Sequence, residues 1–140
     1  MTVGPFSTQS LSAAAIMLSS MLKGEPPFPM FVPFIDVRDA AVAHVNAMTS
    51  ELGDVSRIAL GARSMWTHEL QDVLRKEFEE KGYNVSAVDP PNTERPTFEL
   101  TRMRHLLKVE PRPIDEAVVL MATEAIKRGL VTKEEKTAAS

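Results

Sequence analysis

The sequence predicts an α/β fold with parallel strands, on three observations. Short apolar runs alternate with stretches in which apolar residues recur every three or four positions. The ten prolines gather into clusters that fall between those stretches, where a residue without an amide N–H does no damage. Glycines stand where several of the helical patterns stop. A chain of 140 residues that is 44% apolar and 25% charged has the balance of one ordinary globular domain.

The first helical set is Leu11, Ala14, Ala15, Leu18 and Leu22, closed by Gly24. The apolar run 31–35 then predicts a strand that leads straight into a helix carrying Val37, Ala41, Val45 and Met48, with Asp36 at its N-cap. Residues 57–61, Arg57-Ile58-Ala59-Leu60-Gly61, read as a short buried strand. A third helix carries Trp66, Leu70, Val73, Leu74 and Phe78; Glu69 near its start and Lys81 near its end complement the helix dipole, and Gly82 stops it. Residues 83–88 read as extended and 100–107 as a brief helix. The last helix follows Pro113 with Ile114, Ala117, Val118, Met121 and Ala125, and ends in Lys127 and Arg128 before Gly129. These expectations place one domain over residues 1–131 and a frayed tail over 132–140, where nothing is left to bury.

Charge and composition exclude whole classes of function. Sixteen Lys and Arg against nineteen Asp and Glu give a net charge of −3, which builds no field for nucleic acid or anionic lipid. There is no cysteine, and His44, His68 and His105 are far apart, so a metal site is not expected. The apolar run 11–22 holds twelve residues, short of the roughly 20 that cross a bilayer as a helix. No Lys or Arg precedes Lys23, so no charged leader is legible and the cytoplasm is the expected compartment. The six glycines are never closer than eight positions, which rules out a GxGxxG turn, a P-loop and a Gly-x-Ser-x-Gly elbow.

The remaining polar residues have structural readings. His68-Glu69 opens like a helical zinc site, but the second histidine would fall at Asp72. His68 is instead expected in the first turn of a surface helix, and His44 at the edge of the core, bonded to a carbonyl. His105, among Arg102, Arg104 and Lys108, reads as part of a solvated face, with a small anion patch as the alternative. Asp36 is explained by capping and Asp39 by the dipole, with Arg38 free to pair with either. Met17, Met21, Met48 and Met121 are expected as core fillers. Phe28, Met30, Phe31 and Phe34, around the first proline cluster, either line an apolar pocket or simply pack.

Three segments in order resemble the extended short-chain dehydrogenase/reductase superfamily. These are Thr2-Val3-Gly4-Pro5, a helix ending Leu22-Lys23-Gly24, and Phe34-Ile35-Asp36-Val37-Arg38-Asp39-Ala40-Ala41-Val42-Ala43-His44. The nearest branch is the dihydroflavonol-reductase-like and cinnamoyl-CoA-reductase-like group within the NAD-dependent epimerase/dehydratase relatives. In that family a strand ends in a Val-x-Gly-Pro turn, a helix of the substrate lobe follows, and an Asp-Val-x-Asp segment leads back to the nucleotide-binding sheet. Residues 57–61 are similar to the family's last sheet strand, 64–78 to its Thr-x-x-Glu-Leu helix and 104–131 to its C-terminal stretch.

The resemblance implies a partial Rossmann-type parallel sheet, last strands only, with a helical substrate-binding lobe. It implies the C-terminal part of an NAD(P)-dependent oxidoreductase acting on the CH–OH or carbonyl group of a small, largely apolar substrate. NAD or NADP would serve the intact parent, and no cofactor is expected for this chain alone. The family's proton-donating Tyr is followed four residues later by a Lys that lowers its pKa. Here the one tyrosine is Tyr83 and position 87 is Ala87, so no catalytic residue is assigned. The resemblance places Thr2, Val3, Gly4, Pro5, Ser10 and Ser12 at the cofactor, and Phe28, Met30 and Phe98 at the substrate. It also makes 2–4 and 57–60 neighbouring parallel strands with an open edge, through which self-association is expected. The alternative is a non-catalytic interaction module that uses this edge and the Trp66 helix.

Overall fold

The computed structural model describes residues 1–4, 12–53 and 57–133. Eight elements run along the chain: β1 (Thr2–Val3), α1 (Ala13–Leu22), β2 (Phe31–Asp36), α2 (Val37–Thr49), β3 (Arg63–Trp66), α3 (Thr67–Phe78), α4 (Thr101–Leu107) and α5 (Ile114–Lys127). The order is α/β, and the sheet is small and mixed rather than parallel throughout. β2 is central; it pairs parallel with β1 (Thr2 with Ile35, Val3 with Asp36) and antiparallel with β3 (Phe31 with Trp66, Phe34 with Arg63). Pro33 sits in the middle of this central strand, opposite Ser64. Its carbonyl accepts from the amino group of Met1, at the very start of β1.

Helix ends follow local chemistry. The Ser12 hydroxyl accepts the Ala15 N–H at 3.2 Å to open α1. Glu69 reaches back to the Trp66 N–H at 2.7 Å to open α3. Gly24, Gly82 and Gly129 all adopt positive φ. After each, the next residue's N–H turns back to a carbonyl five residues earlier: Glu25 to Ser20, Tyr83 to Phe78 and Leu130 to Ala125. Three predicted stops are thus three left-handed caps of one kind.

Alternation along β2 sends Phe34 to one face of the sheet and Ile35 to the other. On the first face α1, α3 and α5 close the main core around Leu18, Met21, Leu70, Leu74, Val118 and Met121. On the second, α2 and α4 cover a smaller cluster of Ile35, Ala43, Met103, Leu107 and Val109.

Two expectations are corrected here. Residues 57–61 form no strand: they run irregularly past the end of the sheet, with Ile58 and Leu60 half-buried against the second cluster. The strand is Arg63–Trp66, and it takes the ladder positions opposite residues 31–34 of β2. The neighbour of β1 is therefore β2, not 57–60, and Ser64 to Trp66 belong to a strand rather than to the following helix. Met48 is also no core filler; it is 87% exposed on α2. Of the tail expected from 132, only Thr132 and Lys133 are described, both exposed, and the rest lies outside the described residues.

The junction of β2 and α2 holds two buried carboxylates. Asp36 caps α2 through the Arg38 N–H at 2.8 Å and takes both arms of the Arg38 guanidinium, at 3.0 and 2.6 Å. The Arg38 hydrogen bonds hold the Asp36 carboxyl below the usual carboxylate range against the opposing effect of burial. Asp39, one turn on, accepts the Arg112 N–H at 2.7 Å and pairs with the Arg112 guanidinium. Arg38 therefore chooses Asp36, and Asp39 does more than answer the helix dipole.

Because the Asp36 pKa is lowered on folding, its contribution is present above the ordinary carboxylate range and disappears as pH falls through the lowered value. Acid titration of stability should show a loss below about pH 4, and Asp36→Asn should flatten it. Asp36→Ala also removes the cap and should cost about 1–2 kcal/mol in urea unfolding at neutral pH. Asp39→Ala leaves the Arg112 amide without its acceptor and should cost about 2–3 kcal/mol in the same assay.

Candidate functional site

Of the residues expected at a cofactor, Thr2 and Val3 form β1 and Gly4 follows at its C-terminal end, the end at which parallel strands present ligands, while Ser12 stands at the start of α1. Gly4 has φ of +142°, and a Cβ there would lie 2.7 Å from Cγ1 of Val37 at the start of α2. The close approach of this turn to α2 therefore requires glycine. Thr2 is exposed and Val3 fully buried, so Val3 offers only backbone groups on this side. Ser12 is exposed, with its oxygen already capping α1. Pro5 and Ser10 lie outside the described residues.

The residues expected at a substrate lie at the other end of β2. Phe28 is 75%, Met30 36% and Phe98 44% exposed. Phe98 stacks on Phe31 with ring centres 6.0 Å apart, and Phe31 meets Trp66 at 5.0 Å across the strand pair. The Arg95 guanidinium lies 5.6 Å from the Phe31 ring centre and donates to Glu69 at 2.8 Å. Burial pushes the Glu69 carboxyl up, but Arg95, the Trp66 N–H and Arg63 together hold it below its usual range. Thr67 fastens the edge of this ledge: its hydroxyl donates to the Phe28 carbonyl at 2.9 Å and accepts the Met30 N–H at 3.2 Å.

Phe28, Met30 and Phe98 thus border one aromatic ledge centred on Phe31, which the sequence left between lining a pocket and simple packing, and on Trp66, which it placed on a helix. The cross-strand register that joins Phe31 to Trp66 is the missing signal, because the strand had been expected six residues too early. Phe31 and Asp36 stand five steps apart on β2, roughly 17 Å at about 3.3 Å per residue. The two groups are therefore not brought together, and a single ligand reaching both would have to be extended.

Gly24, Gly82 and Gly129 close helices and Gly53 sits in a turn, so none of these opens a helix after a strand. Tyr83 follows the Gly82 stop, edge-on to Phe78 at 5.9 Å, with the Lys133 ammonium 5.6 Å from its ring centre. His44 bonds the Ala40 carbonyl at 2.6 Å, as expected of it, though from an exposed position. His68 lies in the first turn of α3 and His105 is exposed on α4. Among the described residues no three His, Asp or Glu side chains gather to hold a metal, and no helix is long and apolar enough to cross a membrane. A cavity of about 220 Å³ opens beside the second core, lined by Ala43, His44, Ala47, Ile58, Leu60 and Leu107 among others.

No protein-family profile matches the chain, and no curated protein does. Solved structures do. Yeast methylglyoxal/isovaleraldehyde reductase Gre2, complexed with NADPH, superposes with a TM-score of 0.73 at 21% identity, over 90% of this chain and 43% of that one. Gre2 of Candida albicans gives 0.75 at 23% identity, over 91% and 42%. UDP-glucose 4-epimerase of Thermotoga maritima gives 0.64 at 22%, over 92% and 44%. The chain accordingly has the fold of part of these reductases and of this epimerase, and spans about two fifths of the length of the structures it matches.

Proposed function

We propose that this chain is the substrate-lobe part of an NAD(P)-dependent oxidoreductase that acts on the CH–OH or carbonyl group of a small, largely apolar substrate, and that alone it transfers no hydride. The observation that carries the reading is the Gly4 turn, pressed onto the start of α2 at the C-terminal end of a parallel strand pair. The likeness to NADPH-complexed reductases over nine tenths of the chain supports it. In this reading Thr2 to Pro5, with Ser10 and Ser12, face the nicotinamide end of a cofactor whose pyrophosphate is held elsewhere. Phe28, Met30 and Phe98 border the part of the substrate remote from the reacting carbon. The reading takes NAD or NADP alike. A second reading, a non-catalytic interaction module, draws on the exposed apolar residues of α2.

The chain mixed with NADPH and isovaleraldehyde should show no loss of NADPH absorbance above the enzyme-free rate, and sustained turnover would overturn the proposal. The ledge has its own readout, because Trp66 is the sole tryptophan. A small apolar ketone should shift its emission with saturation. Phe98→Ala, which removes one wall at a half-exposed position, should weaken that binding several-fold, on the order of 1 kcal/mol for a lost aromatic contact.

A further inference from the structure

We infer that Glu69 is the positioning residue of the aromatic ledge: through Arg95 it holds residues 87–99 closed as a strap, and so sets Phe98 in place as a wall. The inference deepens the reading just proposed, in which Phe98 borders the substrate. The strap is anchored at both ends. Before it, the Ser86 hydroxyl donates to the Gly24 carbonyl and the Ser86 carbonyl accepts from Arg75. After it, Leu100 lies so near Gly61 that a Cβ there would meet Leu100 Cδ2 at 3.2 Å. Between these anchors no helix or strand forms, and residues 92–99 are all exposed. Among the described residues of this run, Arg95 alone hydrogen-bonds β3 and α3, at the Ser64 carbonyl (3.4 Å) and at Glu69 (2.8 Å). Arg95 and Phe98 both address the Phe31 ring, so the latch and the wall meet on one side chain. A run with this little burial has little else to keep it closed.

The two oxygens of Glu69 divide the work. Oε2 takes the Trp66 N–H at 2.7 Å and opens α3, while Oε1 takes Arg95 at 2.8 Å and Arg63 at 3.4 Å. The Glu69 side chain is 16% exposed and each arginine 51%, so the carboxylate is the fixed post and Arg95 the part that moves. The cap has no need of the charge, because Gln serves at this position of a capping box as Glu does; the charge serves the arginines. Arg63 also reaches Asp115 on α5 at 3.6 Å, whereas Glu69 is the one carboxylate paired with Arg95 among the described residues. An ion pair between exposed partners is weak and screened by salt, so the strap is poised to open rather than locked. Closed, it lays the Phe98 ring within 17° of the Phe31 plane, and open, it takes that wall away.

Glu69→Gln keeps the cap and removes the latch. In the ligand-free chain, chymotryptic cleavage after Phe98, followed by the masses of the fragments, should run several-fold faster in this variant than in the wild type. Salt at about 1 M, where the screening length falls to about 3 Å, should bring the wild-type rate up towards that of the variant. Titrated with cyclohexanone and followed by Trp66 emission, Glu69→Gln should bind several-fold more weakly, and adding Phe98→Ala should weaken it no further, because the one residue acts through the other. Cleavage at the wild-type rate, or two losses of affinity that multiply, would overturn the inference. Circular dichroism shows whether α3 stays folded in Glu69→Gln; if it does not, Arg95→Gln, which leaves the cap untouched, carries the same comparisons. If cyclohexanone leaves Trp66 emission unchanged, the substrate reading falls, and the cleavage rates still decide the latch.

Discussion

The fold depends on two buried carboxylates one helical turn apart, each held by a different arginine. Bringing an ionised carboxylate out of water is costly unless it is paired and fully hydrogen-bonded. Asp36 meets that condition locally, through the amide and the guanidinium of Arg38. Asp39 meets it across 73 residues of chain, through the backbone and side chain of Arg112. The connection between α4 and α5 is thereby fixed to the first turn of α2. Since α5 belongs to the main core and α4 to the second, this one bond sets the helices on the two faces of the sheet in register with each other.

What was legible in the sequence was what local chemistry decides. The helices appear because their apolar period, their N-terminal Ser or Asp and their terminal glycines all act within a few residues. Gly24, Gly82 and Gly129 were readable as stops because the left-handed cap that each forms needs only its neighbours. β3 was not readable in the same way. Ile58 and Leu60 look more like a buried strand than Arg63-Ser64-Met65-Trp66 does, and only the free edge of β2 decides which of the two pairs. Strand direction was equally hidden: alternation with helices argues for parallel neighbours, yet β3 pairs antiparallel with β2.

The candidate site divides along the same line. Gly4 stood out as part of a recognisable turn, and its position against Val37 agrees with that. The aromatic ledge was seen only at its margins, because Phe31, Trp66, Phe98 and Arg95 meet through register and a long irregular loop. Asp39 was read through the dipole of its own helix, and no sequence pattern names Arg112 as its partner. Met48 satisfied the helical period and still faces water, since the period shows that a stripe exists and not whether anything covers it.

The charges at the helix starts shape how the molecule meets anions. Each helix begins with a positive pole of aligned amides. α2 answers it with Asp36 and Asp39, α3 with Glu69, and α5 with Asp115 and Glu116. α1 has only the neutral hydroxyl of Ser12 and no acid in its first turn. Of the four helices of ten or more residues, three have their poles quenched by resident carboxylates and would repel a phosphate. Among these four helices α1 alone leaves its first turn without a carboxylate.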